Sequence, residues 1–172
     1  MFEAYLEQYP EGAFAVLAKV KKAQYEKKLP PIDLAKAGPV LSAAATTGDA
    51  RAVEELLSRG VSPNMMIKFS HPRFARGRTI HSTAITAATV FRQASVVRLL
   101  LDKGASPMQP ENAFALCPAV AYGHVAIVKM LVDSGVDVNV GPKCFKRATP
   151  LELARKRVFS EIVVLLEAAG AK

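Results

Sequence analysis

The sequence predicts an all-α fold: a solenoid of stacked helix pairs joined by finger-like turns, with a short helical cap at its N-terminus. The first observation behind this is a register that recurs four times. Leu56, Leu100, Leu131 and Leu166 each precede a glycine by four residues, at Gly60, Gly104, Gly135 and Gly170. Seven residues before each glycine stands a valine, at 53, 97, 128 and 163, and sixteen before it an alanine, at 44, 88, 119 and 154. Three residues earlier comes an aliphatic side chain, Leu41, Ile85, Leu116 or Leu151. A fixed register of this kind marks a repeat array, in which each unit buries its face only against its neighbours. The second observation is composition: half the residues are apolar, yet Trp is absent, which suits thin helices packed closely. The third is the chemistry of the repeated positions. The Leu and Val positions share one helical face, the alanines let helices approach, and glycine suits a helix end that turns left-handed.

Taken in order, residues 1–31 read as a helical cap or linker. Phe2 to Tyr9 form a short amphipathic stretch stopped at Pro10-Glu11-Gly12, and Ala13 to Lys28 place Phe14, Leu17 and Ala18 at helical spacing. Pro30-Pro31 ends that helix, because proline lacks an amide donor and restricts the residue before it. The N-terminal phrase resembles a helix-turn-helix segment of bacterial multidomain proteins with a tetratricopeptide-like linker role, and that resemblance implies no activity. Residues 32–172 form the repeat domain, with repeats at about 38–64, 82–108, 113–139 and 148–172. The steps between terminal glycines are 44, 31 and 35 residues (60 to 104, 104 to 135, 135 to 170). Against a period of about 33, roughly eleven residues are extra in the first step. They fall at 65–79, where a finger turn belongs, and insertions of this kind map to loops, often on the binding face.

Specific phrases carry a family resemblance. Thr149-Pro150-Leu151-Glu152-Leu153-Ala154 resembles the Thr-Pro-Leu-His-x-Ala opening of an ankyrin repeat, and Gly123 to Asn139 is similar to that family's second helix and following turn. Gly48 to Asn64 and Gln93 to Met108 follow the same plan, and Asn64 and Asn139 match the Asn after the helix. Arg92 and Val158 stand where the family has a Gly between helices, and Ser42, Thr86, Cys117 and Glu152 replace the His of the opening motif. The resemblance covers residues 38–172. It implies an ankyrin-repeat solenoid acting as a non-catalytic protein-binding module, with fingers and inner helices sharing one concave surface.

The net charge of +8 bears on partners rather than on fold. The insertion holds Lys68, Arg73, Arg76 and Arg78 with no acid, interleaved with Phe69 and Phe74. Basic residues with aromatics grip phosphates and stack bases, or anchor on an acidic protein; the plain alternative is a solvated finger whose Phe rings pack on the adjacent repeat. A second basic cluster comprises Lys143, Lys146 and Arg147 in the third finger, with Phe145 among them as a contact candidate, then Arg155, Lys156 and Arg157 on the last inner helix, opposed only by Glu152. The inner-helix pairs run Thr46-Thr47, Val90-Phe91, Ala121-Tyr122 and Lys156-Arg157, so Phe91 and Tyr122 join the partner-binding candidates unless they merely fill the groove between helices. These residues predict an acidic protein partner, with an inhibitor or immunity-type regulator that covers an enzyme or toxin as the alternative, and nucleic acid as a weaker one.

No catalytic, cofactor or metal site is expected. His71, His81 and His124 are scattered, and Cys144 has basic neighbours but no His or Asp partner. Cys117 and Cys144 lack metal-ligand spacing and read as reduced thiols. No apolar run approaches the roughly 20 residues of a membrane span, and no basic start precedes an apolar stretch at the N-terminus. The chain is expected to be a cytoplasmic bacterial protein, monomeric on its own.

Overall fold

Each amphipathic stretch forms a helix, and the helices come in pairs. A computed structural model describes residues 33–106, 114–139 and 148–172. The inner members are α1 (Leu34–Thr47), α3 (Ala84–Val90), α5 (Leu116–Ala121) and α7 (Pro150–Lys156). The outer members are α2 (Ala50–Ser58), α4 (Ala94–Asp102), α6 (Val125–Asp133) and α8 (Ser160–Ala168). Inner helices pack in the order α1, α3, α5, α7 and outer helices in the order α2, α4, α6, α8. Each pair therefore packs against the next one, as the register requires. Residues 1–31, read above as a helical cap or linker, lie outside the described residues, while Leu34–Lys172 forms one compact unit.

The register positions are the core. Leu41, Ile85, Leu116 and Leu151 are buried, as are Ala44, Ala88, Ala119 and Ala154. Val53, Val97 and Val128 are fully buried beside Leu100, Leu131 and Leu166, whereas Val163 at the end of the array is half-exposed. Helix ends are closed by the residues that the pattern supplies. Thr149 Oγ1 accepts the Glu152 N–H at 3.1 Å while Glu152 Oε2 accepts the Thr149 N–H at 2.7 Å, a reciprocal cap. Glu152, standing in place of the family's His, thus serves the helix start. Asn64 and Asn139 tie neighbouring turns together. Asn64 Oδ1 accepts the Ser106 N–H at 3.2 Å; Asn139 donates to the Gly170 carbonyl at 2.8 Å and accepts the Lys172 N–H at 2.9 Å.

Two features depart from the sequence reading. The insertion at 65–79 is built around a β-hairpin: β1 (Met66–Phe69) pairs antiparallel with β2 (Ile80–Thr83), Met66 opposite Thr83 and Phe69 opposite Ile80. The fold is still mostly helical, with this one small sheet among the described residues. The hairpin forms because Ile67 and Phe69 alternate with Met66 and Lys68, burying one side and exposing the other. The reading of Cys117 as a reduced thiol is also corrected. Cys117 is buried at the start of α5 and disulfide-bonded; the chain's other cysteine, Cys144, lies outside the described residues.

Candidate functional site

The hairpin does not stand away from the stack; its tip folds over the inner helices. Ser42 Oγ in α1 donates to the Lys68 carbonyl at 2.7 Å, fixing the hairpin's first strand. Beyond β1 the chain turns at His71, whose Nδ1 accepts the Arg73 N–H at 3.2 Å. Since that bond occupies Nδ1 as an acceptor, a neutral His71 carries its proton on Nε2. Tyr122, at the C-terminal end of α5, donates its hydroxyl to the Arg73 carbonyl at 2.8 Å and so clips the tip down.

Aromatic contacts complete this arrangement. Phe69 stacks on Phe74 with ring centroids 6.3 Å apart and meets Phe91 edge-on at 6.3 Å. Phe74 meets Phe114 edge-on at 6.1 Å. His71 lies edge-on to Phe91 at 4.9 Å and 6.1 Å from Tyr122, and Tyr122 lies 5.8 Å from His124. Edge-on and offset pairs of this kind add to area burial.

These positions divide the residues expected to bind a partner. Phe69 and Phe74 are 5% and 3% exposed, so their rings are taken up by the hairpin and its neighbouring repeat, and they leave the candidate contact surface. Phe91 and Tyr122 are half-buried. Lys68, Arg73, Arg76, Arg78, Lys156 and Arg157 are exposed, and among the described residues none of them is in an ion pair. Arg155 differs from its neighbours, because it pairs with Glu167. Phe145, Lys146 and Arg147 lie outside the described residues. The hairpin tip thus brings Arg73 together with Phe91 and Tyr122.

A cleft of about 380 Å³ opens between the tip and the ends of α3 and α5, lined chiefly by His71, Arg73, Phe91, Arg92, Tyr122 and His124. Sequence reasoning did not place Arg92 in it. The signal was present, since Arg92 occupies the position between helices where the family has glycine. Its φ is +62°, in the left-handed region that disfavours side chains. Burial raises the Tyr122 hydroxyl above its ordinary value, opposed by Arg73 and Arg157, so it remains a hydrogen-bond donor. Burial lowers the His124 imidazole, and the Arg92 guanidinium lowers it further.

Among the described residues no group of three or more His, Cys, Asp or Glu could hold a metal ion, and no helix is long and apolar enough to cross a membrane. Residues 41–141 match the sequence model for ankyrin repeats in three copies. The chain is 28% identical over 131 residues to an ankyrin repeat, SAM and basic leucine zipper domain-containing protein 1 of Ornithorhynchus anatinus, covering 74% of the chain and 25% of that protein. It is 32% identical over 100 residues to the ankyrin repeat and KH domain-containing protein mask of Drosophila melanogaster, covering 56% of the chain and 2% of that protein. A human ankyrin repeat and KH domain-containing protein 1 is 33% identical over 100 residues, covering 56% of the chain and 4% of that protein. The chain therefore spans a quarter or less of the length of these relatives. All three are animal proteins, which lends the expected bacterial origin no support. Ankyrin repeats generally serve as protein–protein interaction modules and are typically non-catalytic. On the match over residues 41–141 and the four stacked helix pairs, the chain belongs to the ankyrin repeat family.

Proposed function

We propose that the chain is a non-catalytic module that binds an acidic protein partner through its hairpin finger and the ends of its inner helices. The observation that carries this reading is the set of exposed cations Lys68, Arg73, Arg76 and Arg78 on one hairpin, none of them in an ion pair among the described residues. A flexible finger would dissipate that charge over many orientations. Here Tyr122, Ser42 and the Phe69–Phe74 stack hold the hairpin in place, so its cations are presented in a fixed arrangement. Fixed charges of one sign speed encounter with an opposite surface and select against like-charged ones. Phe91 and Tyr122 supply half-exposed aromatic edges beside them, residue types that anchor interfaces. Phe145, Lys146 and Arg147 of the third finger, with Lys156 and Arg157, extend the proposed surface.

The test is affinity capture from the native source with the wild-type chain and with an Arg73→Glu, Arg76→Glu, Arg78→Glu variant. All three side chains are exposed, so the variant should fold. The wild type should retain an acidic protein that the variant loses; equal retention by both would sink the assignment. An inhibitor or immunity-type role is the narrower alternative, recognised by loss of activity in the captured partner. A cytoplasmic location and a monomeric state go with this proposal, as does a helical cap at 1–31. The Cys117 disulfide argues the other way on location, because cytosolic thiols are kept reduced. A thiol count on natively isolated protein decides between them.

A further inference from the structure

We propose that the cleft between the hairpin tip and the ends of α3 and α5 binds an aryl phosphomonoester, presented as a phosphorylated tyrosine side chain of the partner. The inference rests on the protein-binding reading above and specifies what one part of that surface takes.

Three observations converge on it. The first is charge: Arg73 and Arg92 line the cleft, and among the described residues neither is paired with a carboxylate. Among the described residues that line the cleft there is no acid. Two guanidiniums lining one cleft, with no carboxylate paired to either among the described residues, suit a group that carries nearly two negative charges and three acceptor oxygens. A single carboxylate would leave the cluster undercompensated. A nucleic-acid backbone offers diesters in a row, one charge each, and needs a groove that follows them rather than one concentrated point.

The second observation is the wall of the cleft. Phe91, Tyr122 and His71 are half-buried and line the cleft beside the cations, a wall of aromatic residues suited to an aromatic guest. A volume of about 380 Å³ is near the small end of ligand pockets and has room for one ring with its phosphate. His71 is held with Nδ1 accepting the Arg73 N–H, which leaves Nε2–H as a donor for a phosphate oxygen.

The third observation is Arg92. The equivalent positions in the first and third repeats are Gly48 and Gly123, with φ of +84° and +69°. Arg92 keeps the same left-handed turn at +62° although glycine would fit it without strain. Strain of this kind persists where the surrounding structure enforces it and clusters at binding sites. Val158 carries the same strain in the fourth repeat but lines no part of the cleft, and so serves as a control.

The experiment is a titration of the full chain with phenyl phosphate, followed through the imidazole signals of its three histidines. His71 and His124 line the cleft and His81 does not. Saturable shifts are expected at His71 and His124 with little change at His81. Phenyl phosphate should bind at least tenfold more tightly than inorganic phosphate, benzoate or adenosine monophosphate. A peptide with one phosphotyrosine should compete for the cleft, and its dephosphorylated form should not. Arg92→Gly should weaken phenyl phosphate at least tenfold while keeping or raising the unfolding midpoint, and Val158→Gly should leave binding unchanged. The proposal is overturned by non-saturable shifts, by Arg92→Gly binding like the wild type, or by adenosine monophosphate or a single-stranded oligonucleotide binding more tightly than phenyl phosphate. A cleft indifferent to phenyl phosphate, in a chain whose acidic partner is still lost on reversing the hairpin arginines, would sink this proposal and leave the protein-binding reading standing.

Discussion

At the scale of single residues, the positions between the two helices of a repeat show how local strain and stacking interact. Gly123 suits its place, because its φ is +69° and a Cβ there would crowd the ring of Phe159 at 3.0 Å. Arg92 and Val158 occupy corresponding turns with positive φ, and each costs about 1–2 kcal/mol relative to an unstrained backbone. Glycine would recover part of that, less the entropy it loses on folding, about 0.5–1 kcal/mol. Val158 is 81% exposed and offers little packing in return. Val158→Gly should therefore stabilise the chain by about 0.5–1 kcal/mol, read from the urea midpoint at unchanged slope; a lower midpoint would show that Val158 makes a contribution absent from this account. His124 makes a second residue-level prediction. Its folded pKa is lowered from 6.5, first by burial and then by Arg92, so the folded state binds this proton more weakly than the unfolded chain. Stability should be fully present above 6.5 and decline as the pH falls through the lower folded value. His124→Gln should flatten the unfolding midpoint over that window; a decline as steep as in wild type would assign it to other groups.

At the scale of elements, the hairpin is the part that the sequence described least well. The basic side chains of 65–79 were legible as an insertion, since the glycine spacing exposed the extra residues. Their strand pairing was also encoded, in the alternation of Ile67 and Phe69 with Met66 and Lys68 and in the β-branched residues of Ile80–Thr83. A four-residue alternation is a weak local signal, and tertiary support decides whether it pairs. The fate of the two Phe rings was ambiguous for a related reason. Aromatics between cations describe an exposed anchor as well as a strand with one buried side, and only the neighbouring Phe91 and Phe114 settle it. The Cys117 disulfide was illegible because two cysteines without patterned spacing do not reveal proximity. Because Phe74 joins the hairpin to Phe114, Phe74→Ala should destabilise the chain by about 3–5 kcal/mol and raise hydrogen exchange at Met66–Phe69. A loss under about 1 kcal/mol would mean that the site collapses around the missing ring more readily than large-to-small substitutions usually allow.

At the scale of the whole molecule, the features that make the stack and those that make the surface come from different residues. The stack was almost fully legible, because Leu, Ala, Val and Gly recur where each repeat must meet the next, and their burial follows that register. Asn64 and Asn139 were legible as turn residues, and the structure adds that they bond across to Ser106 and to Gly170 and Lys172. The surface was legible as charge but not as arrangement. The sequence placed Arg73, Phe91 and Tyr122 in three separate segments, and only the folded hairpin brings them to one cleft. Such long-range placement depends on the trajectory of the insertion, for which no repeat supplies a template. The central claim is that this fixed basic hairpin drives association with an acidic partner. Its most direct test is the association rate of the captured partner, measured against ionic strength for the wild type and for the Arg73→Glu, Arg76→Glu, Arg78→Glu variant. The account predicts a wild-type rate that falls steeply with salt, and a variant that associates at least tenfold more slowly at low salt. A rate independent of salt and equal in both proteins would contradict it.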